Sequence, residues 1–412
     1  MAQTSLRVST PEPPPVRHDS DVTTRTLIGD GLALGSRLTV AADQAVSMAL
    51  APLRGVTPDL AFVFVSGGSP EATAEALEYA AAAVGARTTI GCTAAGLIAS
   101  GREIEGRRGV SVWVASLPDV SIRAFHLEVL RTSDSVAVLG MPLRSDNDVV
   151  GILLADPFSF PADGFVDNSY ESLQGLPLIG GLASGAAAPG ETRLMIDGRV
   201  HSRGAVGVVL CGDVSVHALV SQGCRPIGLP MTVTRVEGSR IVELAGRSAL
   251  DQAKAVVSAL PVHEQPLAVR GLHLGIATDE YVDEHGAGDF LVRSITGADH
   301  VSGSISVGDD VEVGSTVQFL LRDARSAHDD LADVLADLRA QPGLEALAGA
   351  LLFSADTRGR SMFTSPDHDI AAVRGGLDVT PVGGFFAGGE IGPVGGRNHV
   401  HHGSTATVLA FG

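Results

Sequence analysis

The sequence predicts an α/β protein, with α+β the alternative, built as mixed sheets flanked by helices. Three observations predict it. A short apolar pattern broken by glycine comes three times, at Thr88–Gly96, Pro177–Gly185 and Pro381–Gly389. Each copy follows a strand-length apolar run, 28, 28 and 32 residues from mid-strand to glycine, and precedes another. Hydrophobic residues make up 45% of the 412, enough for a sizeable core.

The elements follow in order. Residues 1–25 read as an extended tail: they hold no apolar signal segment, and Pro11-Glu12-Pro13-Pro14-Pro15 is extended. In the first unit, strand Ala61–Val65 leads to a helix with Ser69 as N-cap and Pro70 at its first position, running to Val84-Gly85. Strand Gly109–Ala115 follows. The second unit has Val149–Leu154, then Ala155-Asp156-Pro157, and later Ala205–Leu210. The third has Gly349–Phe353, helix Asp367–Leu377 and strand Thr405–Phe411. Strand–helix–strand links of this length favour parallel pairing by a right-handed crossover, and the strand after the glycine turn adds an antiparallel neighbour. Between the second and third units, Met231–Leu244 reads as a strand pair around Glu237-Gly238 and Ser248–Leu260 as a helix. Strands His273–Ala277, Phe290–Ile295 and Thr316–Leu321 follow. Helix Arg325–Leu338 carries Leu331, Val334, Leu335 and Leu338 as an apolar stripe. A boundary near Gly246 divides 26–245 from 246–412.

Composition excludes several classes. Acidic residues outnumber basic ones to a net charge of −18, which argues against nucleic acid and anionic membranes as partners. No apolar run reaches the roughly 18 residues of a membrane span. Cys92, Cys211 and Cys224 form neither a CxxC nor an even framework, so a reducing cytoplasm is expected. No cofactor fingerprint is found, because none of the glycine loops is a GxGxxG or a P-loop in a strand-to-helix context.

Several strings resemble those of FIST-domain proteins. They are Gly91-Cys92-Thr93-Ala94-Ala95-Gly96, Leu178–Gly185, Ser221-Gln222-Gly223-Cys224-Arg225-Pro226-Ile227-Gly228, Val317-Gln318-Phe319 with Arg322-Asp323-Ala324, and Phe385–Val394. The resemblance covers roughly residues 26–412. It implies two interlocked halves, FIST N-terminal over 26–245 and FIST C-terminal over 246–412, in a small-ligand sensory module. It suggests amino acids as ligands and no established reaction. Similar proteins carry Cys-Asn-Gly-Arg-Gly after the third unit's first strand. This chain has Ala355-Asp356-Thr357-Arg358-Gly359, so that thiol has no counterpart here.

The charged candidates are Arg358, with Gly359 and Arg360 in a loop after a buried strand, and Glu390, an acid between Gly389 and Gly392. A guanidinium grips a carboxylate or phosphate through two parallel bonds, and a buried glutamate needs a partner, so the pair suits a zwitterion. The structural alternative is an Arg–Glu bridge, or a pair from Arg358 to Asp356 or Asp369. His368 and Asp369, opening the third helix, would cap it or reach the pocket. Backbone amides around Cys92, Thr93 and Gly96, around Gly181, Ser184 and Gly185, and around Gly389 and Gly392 would complete an anion cradle; the alternative is glycine serving tight turns. Cys92 could serve as a nucleophile, though no histidine is fixed as its base, and otherwise reads as a buried thiol. His399 and His401 share a strand face as some metal sites require, yet lack a carboxylate or cysteine nearby, so no metal is expected.

The expectation is a cytoplasmic sensory protein binding an amino acid or similar small polar anion without catalysis, passing its message to a separate partner protein. A hydrolase or transferase using Cys92 or an acid–base pair, and a scaffold without a small ligand, are the rivals.

Overall fold

A computed structural model describes residues 25–412, apart from 134, 283, 284 and 286 and the side chain of residue 270. Residues 1–24 of the expected tail lie outside the described residues. Helix accounts for 23% and strand for 43%, arranged in four sheets.

The first sheet opens with β1 (Leu27–Leu34), helix α1 (Leu38–Leu50) and β2 (Leu60–Ser66). Helix α2 (Pro70–Val84) then crosses to β3 (Thr88–Ala94), which pairs parallel to β2. The Ser69 hydroxyl accepts from the Ala72 amide, and Gly85 ends the helix at φ 61°. Hairpin β4 (Gly96–Ala99) and β5 (Arg102–Glu105) leaves this sheet, and β6 (Gly109–Ser116) returns antiparallel between β2 and β1.

The second sheet has β7 (Val120–Arg131), β8 (Val136–Leu139) and β9 (Asp148–Ala155). Helix α3 (Ala162–Ser169) leads to β10 (Leu178–Leu182), parallel to β9. Hairpin β11 (Leu194–Ile196) and β12 (Arg199–His201) pairs with β3 of the first sheet. Strand β13 (Ala205–Gly212) then fits antiparallel between β9 and β7.

After β14 (Val216–Ser221) the chain builds an antiparallel sheet from β15 (Cys224–Glu237), β16 (Arg240–Leu244) and β17 (Arg247–Ser248). Helices α4 (Ala249–Ala259) and α5 (Gln265–Gly271) precede its remaining strands, β18 (Leu272–Ala277), β19 (Phe290–Asp299), β20 (Ser304–Val307) and β21 (Thr316–Arg322). Gly246 sits in the turn joining β16 to β17, so the expected boundary falls inside this sheet.

Helix α6 (Ala324–Arg339), capped by Asp323, leads to β22 (Gly349–Ala355), short helix α7 (Gly359–Met362) and helix α8 (His368–Leu377). Strand β23 (Val382–Ala387) pairs parallel to β22 and also accepts β4. Hairpin β24 (Glu390–Val394) and β25 (Arg397–His401) crosses to β10, and β26 (Ala406–Phe411) returns between β22 and β14.

The central strands β2, β9 and β22 are covered on both faces, which is why they are almost continuously apolar. Phe62, Phe64 and Trp113 point to one shared core with Ile152, Val208, Phe353 and Phe385. The alternate residues Ala61, Val63 and Val65 pack under α1 and α2. One glycine in each parallel pair has a local cause. A Cβ on Gly91, Gly180 or Gly384 would lie 2.2, 1.9 or 1.7 Å from the carbonyl oxygen of Val63, Leu153 or Leu352 on the paired strand. Here the repeated glycine serves close strand contact rather than a ligand.

Candidate functional site

The three glycine loops meet, and Ser184 ties them together. Its amide donates to the Thr93 carbonyl, its hydroxyl donates to the Phe386 carbonyl, and the same oxygen accepts from the Ala95 amide at 2.8 Å. Leu182 donates to the Gly389 carbonyl at 2.7 Å, and Gly388 donates to Leu182 at 3.0 Å. Thr93 exchanges bonds with Arg193. Gly96 abuts Phe386, Gly181 abuts Ala387, Gly185 abuts the Ala94 carbonyl, and Gly392 abuts Val220. The amides of Ala95, Leu182, Ser184 and Gly388 are thus bonded from loop to loop rather than bare.

Arg358 is also placed differently from the expectation of a ligand contact. It lies just before α7, fully buried. Its Nε donates to Asp369 Oδ2 at 2.6 Å and its Nη2 to Oδ1 at 2.8 Å, a two-pronged ion pair. Its Nη1 donates to the Ser404 carbonyl at 2.9 Å, and its guanidinium lies over the Phe363 ring. Asp369, in the first turn of α8, also accepts from the Ser354 hydroxyl at 2.7 Å and contacts His368 Nδ1 at 2.8 Å. Burial works against the Asp369 charge, but Arg358, His368 and Ser354 outweigh it and hold the carboxyl well below the ordinary range. His368 stacks on Phe363 at 3.5 Å, and its Nε2 lies 3.0 Å from His328 Nδ1 near the surface. Arg360 is exposed, and its amide donates to Glu105. Gly359 has φ 55° beside the same carboxylate, where a Cβ would come within 2.5 Å.

Glu390 opens β24 in register with Gly181 on one side and His401 on the other. It is fully buried, and neither carboxyl oxygen has a hydrogen-bond partner among the described residues. Burial pushes its carboxyl well above the usual range, and Asp356 pushes it further; Arg358 and Arg322 pull the other way without prevailing. The Nε of Arg322 is likewise buried without a hydrogen-bond partner. Asp356, Thr357, Gly388 and His402 in the adjoining loops are exposed. Thr357 Oγ1 accepts from the Ser404 amide at 2.8 Å and joins the two loops.

Cys92 lies inside the shared core on β3, and burial pushes its thiol up, so it does not form the thiolate a nucleophile needs. On β25 the His399 and His401 rings are 6.2 Å apart, and burial lowers their pKa values to about 4 and about 3. Among the described residues no group of three or more His, Cys, Asp or Glu side chains could hold a metal ion. No helix among them is long and apolar enough to cross a membrane.

A family model for the FIST N domain matches residues 59–247, and one for the FIST C domain matches 249–393. The chain belongs to the FIST family. FIST domains are sensory domains in signal transduction. Two relatives match over nearly their whole length. An uncharacterized protein of Mycobacterium tuberculosis (strain ATCC 25618 / H37Rv) is 40% identical over 385 residues, 93% of this chain and 99% of that protein. An uncharacterized protein of Mycobacterium bovis (strain ATCC BAA-935 / AF2122/97) is 38% identical, covering 93% and 98%. A solved cyanuric acid hydrolase from A. caulinodans aligns over 94% of this chain and 99% of its own at 10% identity, with a TM-score of 0.31. Neither fold nor activity is carried over from it.

In this FIST protein three participants escaped the sequence reading. Arg322 stood in the Arg322-Asp323-Ala324 string, where nothing but its place at the end of β21 marks it as part of the site. Asp330, on the polar side of α6, accepts from the Ser221 hydroxyl at 2.6 Å and the Gly223 amide at 2.8 Å. Glu103 accepts from the Ile370 amide at 2.8 Å and so tethers α8 from a different sheet element. Partners this distant in sequence leave no periodic signal.

Proposed function

We propose that this FIST protein is a cytoplasmic small-ligand sensor without catalysis, and that its ligand docks between Glu390 and Arg322. The observation that carries the reading is the Glu390 carboxyl, fully buried with both oxygens bare. A buried polar group left without a bond costs on the order of 1–3 kcal/mol, a cost a bound ligand would remove. The bare Nε of Arg322 offers a donor beside it. An acceptor–donor pair of this kind suits a zwitterion, with its ammonium at Glu390 and its carboxylate at Arg322, and so an amino acid or similar small polar anion. Arg358 and Asp369 form the fixed wall. Entry requires the Thr357–Ser404 contact to part, and that movement is what a separate signalling partner would read.

The test is a thermal-shift screen of the full chain against the common L-amino acids and small organic acids. A ligand at a hundred times its dissociation constant adds about 2.7 kcal/mol, a readily measured rise in melting temperature. The reading requires a hit that Glu390→Gln and Arg322→Ala both weaken. A hit indifferent to both substitutions, or none across the screen, overturns it.

A further inference from the structure

A second recess lies away from Glu390. An open cleft of about 840 Å³ sits at the carboxyl end of β9, between β7, the Pro189-Gly190 loop and the segment from β12 to Gly204. Loops at the carboxyl ends of parallel strands are where open α/β sheets place ligands, and this volume lies in the upper part of the ligand-pocket range. It is several times what a free amino acid fills.

Asp156 lines the cleft and is itself fully buried. Its Oδ2 accepts from the Ser159 amide at 3.0 Å and from the Ser159 hydroxyl at 2.5 Å. Its Oδ1 has no hydrogen-bond partner. A residue lining the cleft thus carries a fixed, buried acceptor with no partner among the described residues. Two guanidinium groups, Arg131 and Arg203, line the same space, and neither forms an ion pair among the described residues. The imidazoles of His126 and His201 stack at 3.8 Å along one wall, and half-exposed Phe158 supplies an apolar surface.

We infer that this cleft binds a phosphorylated sugar, free or as a mononucleotide, with a sugar hydroxyl donating to Asp156 Oδ1 and the phosphate held by Arg131 and Arg203. Two arginines match phosphate geometry, and a carboxylate oxygen that only accepts selects a hydroxyl donor. The site stands apart from Glu390 and does not depend on that reading.

The experiment is isothermal titration and thermal shift of the full chain with ribose 5-phosphate, AMP and inorganic phosphate. Ribose 5-phosphate or AMP should bind more tightly than inorganic phosphate, and the better of the two says whether the sugar is free or carries a base. Asp156→Asn keeps an acceptor for Ser159 and should weaken the sugar phosphate about tenfold while leaving inorganic phosphate unchanged. Arg203→Ala, an exposed change that leaves the fold intact, should weaken all of them. Glu390→Gln should weaken none. Absence of binding by both sugar phosphates, or binding indifferent to Asp156→Asn and Arg203→Ala, overturns the inference. Binding lost in Glu390→Gln alone moves the ligand to the other site and overturns it too.

Discussion

Arg358 makes four hydrogen bonds inside the protein, two of them to Asp369. Breaking a buried pair from one side leaves an uncompensated charge. Arg358→Ala should therefore lower stability by about 3–5 kcal/mol in urea unfolding, and Arg358→Lys should recover only part, because an ammonium cannot bond both carboxylate oxygens in a fork. A loss under 1 kcal/mol would mean the pair is not formed. Glu103 gives a second residue-scale prediction with a sign. Burial, and then Asp369, raise its pKa from 4.5 to about 7. The folded state thus binds a proton that the unfolded state releases between those values. Its stabilising contribution is complete below pH 4.5 and is lost as pH rises through 7, a swing of about 3 kcal/mol at most. Glu103→Gln removes that swing, so the melting temperature of the variant relative to wild type should climb between pH 5 and pH 8. A constant difference would refute it.

At the scale of elements, sequence legibility depended on how local the cause was. Helix α2 was readable end to end, because Ser69, Pro70 and Gly85 act within a few residues. Apolar runs at β2, β9 and β22 were readable because both faces of their sheets are buried. The destinations of the hairpins were not: β4 joins β23, β11 joins β3 and β24 joins β10, and no local pattern encodes a partner that far away. The glycine pattern was visible while its cause was not, because the carbonyls it makes room for belong to the paired strand. Gly384→Ala should accordingly destabilise by at least about 2 kcal/mol, since a backbone carbonyl 1.7 Å from the new Cβ cannot step aside as a side chain would. Ala at exposed Gly164, which meets nothing nearby within helix α3, is the control and should be neutral or slightly stabilising. Equal effects at both positions would refute the packing account. Of the candidate site, the residue types at Arg358, Asp369 and Glu390 were legible. The Arg358–Asp369 pair was one of the alternatives left open, and only the structure chooses it over Asp356 or Glu390, because the partners lie 11 positions apart across two helices.

Over the whole molecule, the buried histidines set the acid limit. Burial lowers His273 to about 4, His399 to about 4 and His401 to about 3, against 6.5 when unfolded. The unfolded chain takes up protons that these rings refuse when folded. Stability carried by each is complete above pH 6.5 and is lost as pH falls toward the folded value, by a few kcal/mol apiece at most. Glu103 and Glu390, whose carboxyls burial raises, work in the opposite direction. The part of the urea midpoint that His273 supplies should fall from pH 7 to pH 4.5. The midpoint of His273→Gln relative to wild type should therefore climb as pH falls across that range, because the side chain that contacts the Gly271 carbonyl at 2.9 Å no longer titrates. A difference between variant and wild type that stays constant across that range would show that His273 protonates freely in the folded protein. The distribution also bears on signalling: His399 and His401 lie on β25, the strand beside Glu390, so acidification weakens the hairpin that carries the proposed ligand contact. Ligand stabilisation measured at pH 5 should match that at pH 7.5 in wild type and fall only below about pH 4, where His399 begins to take up a proton in the folded protein.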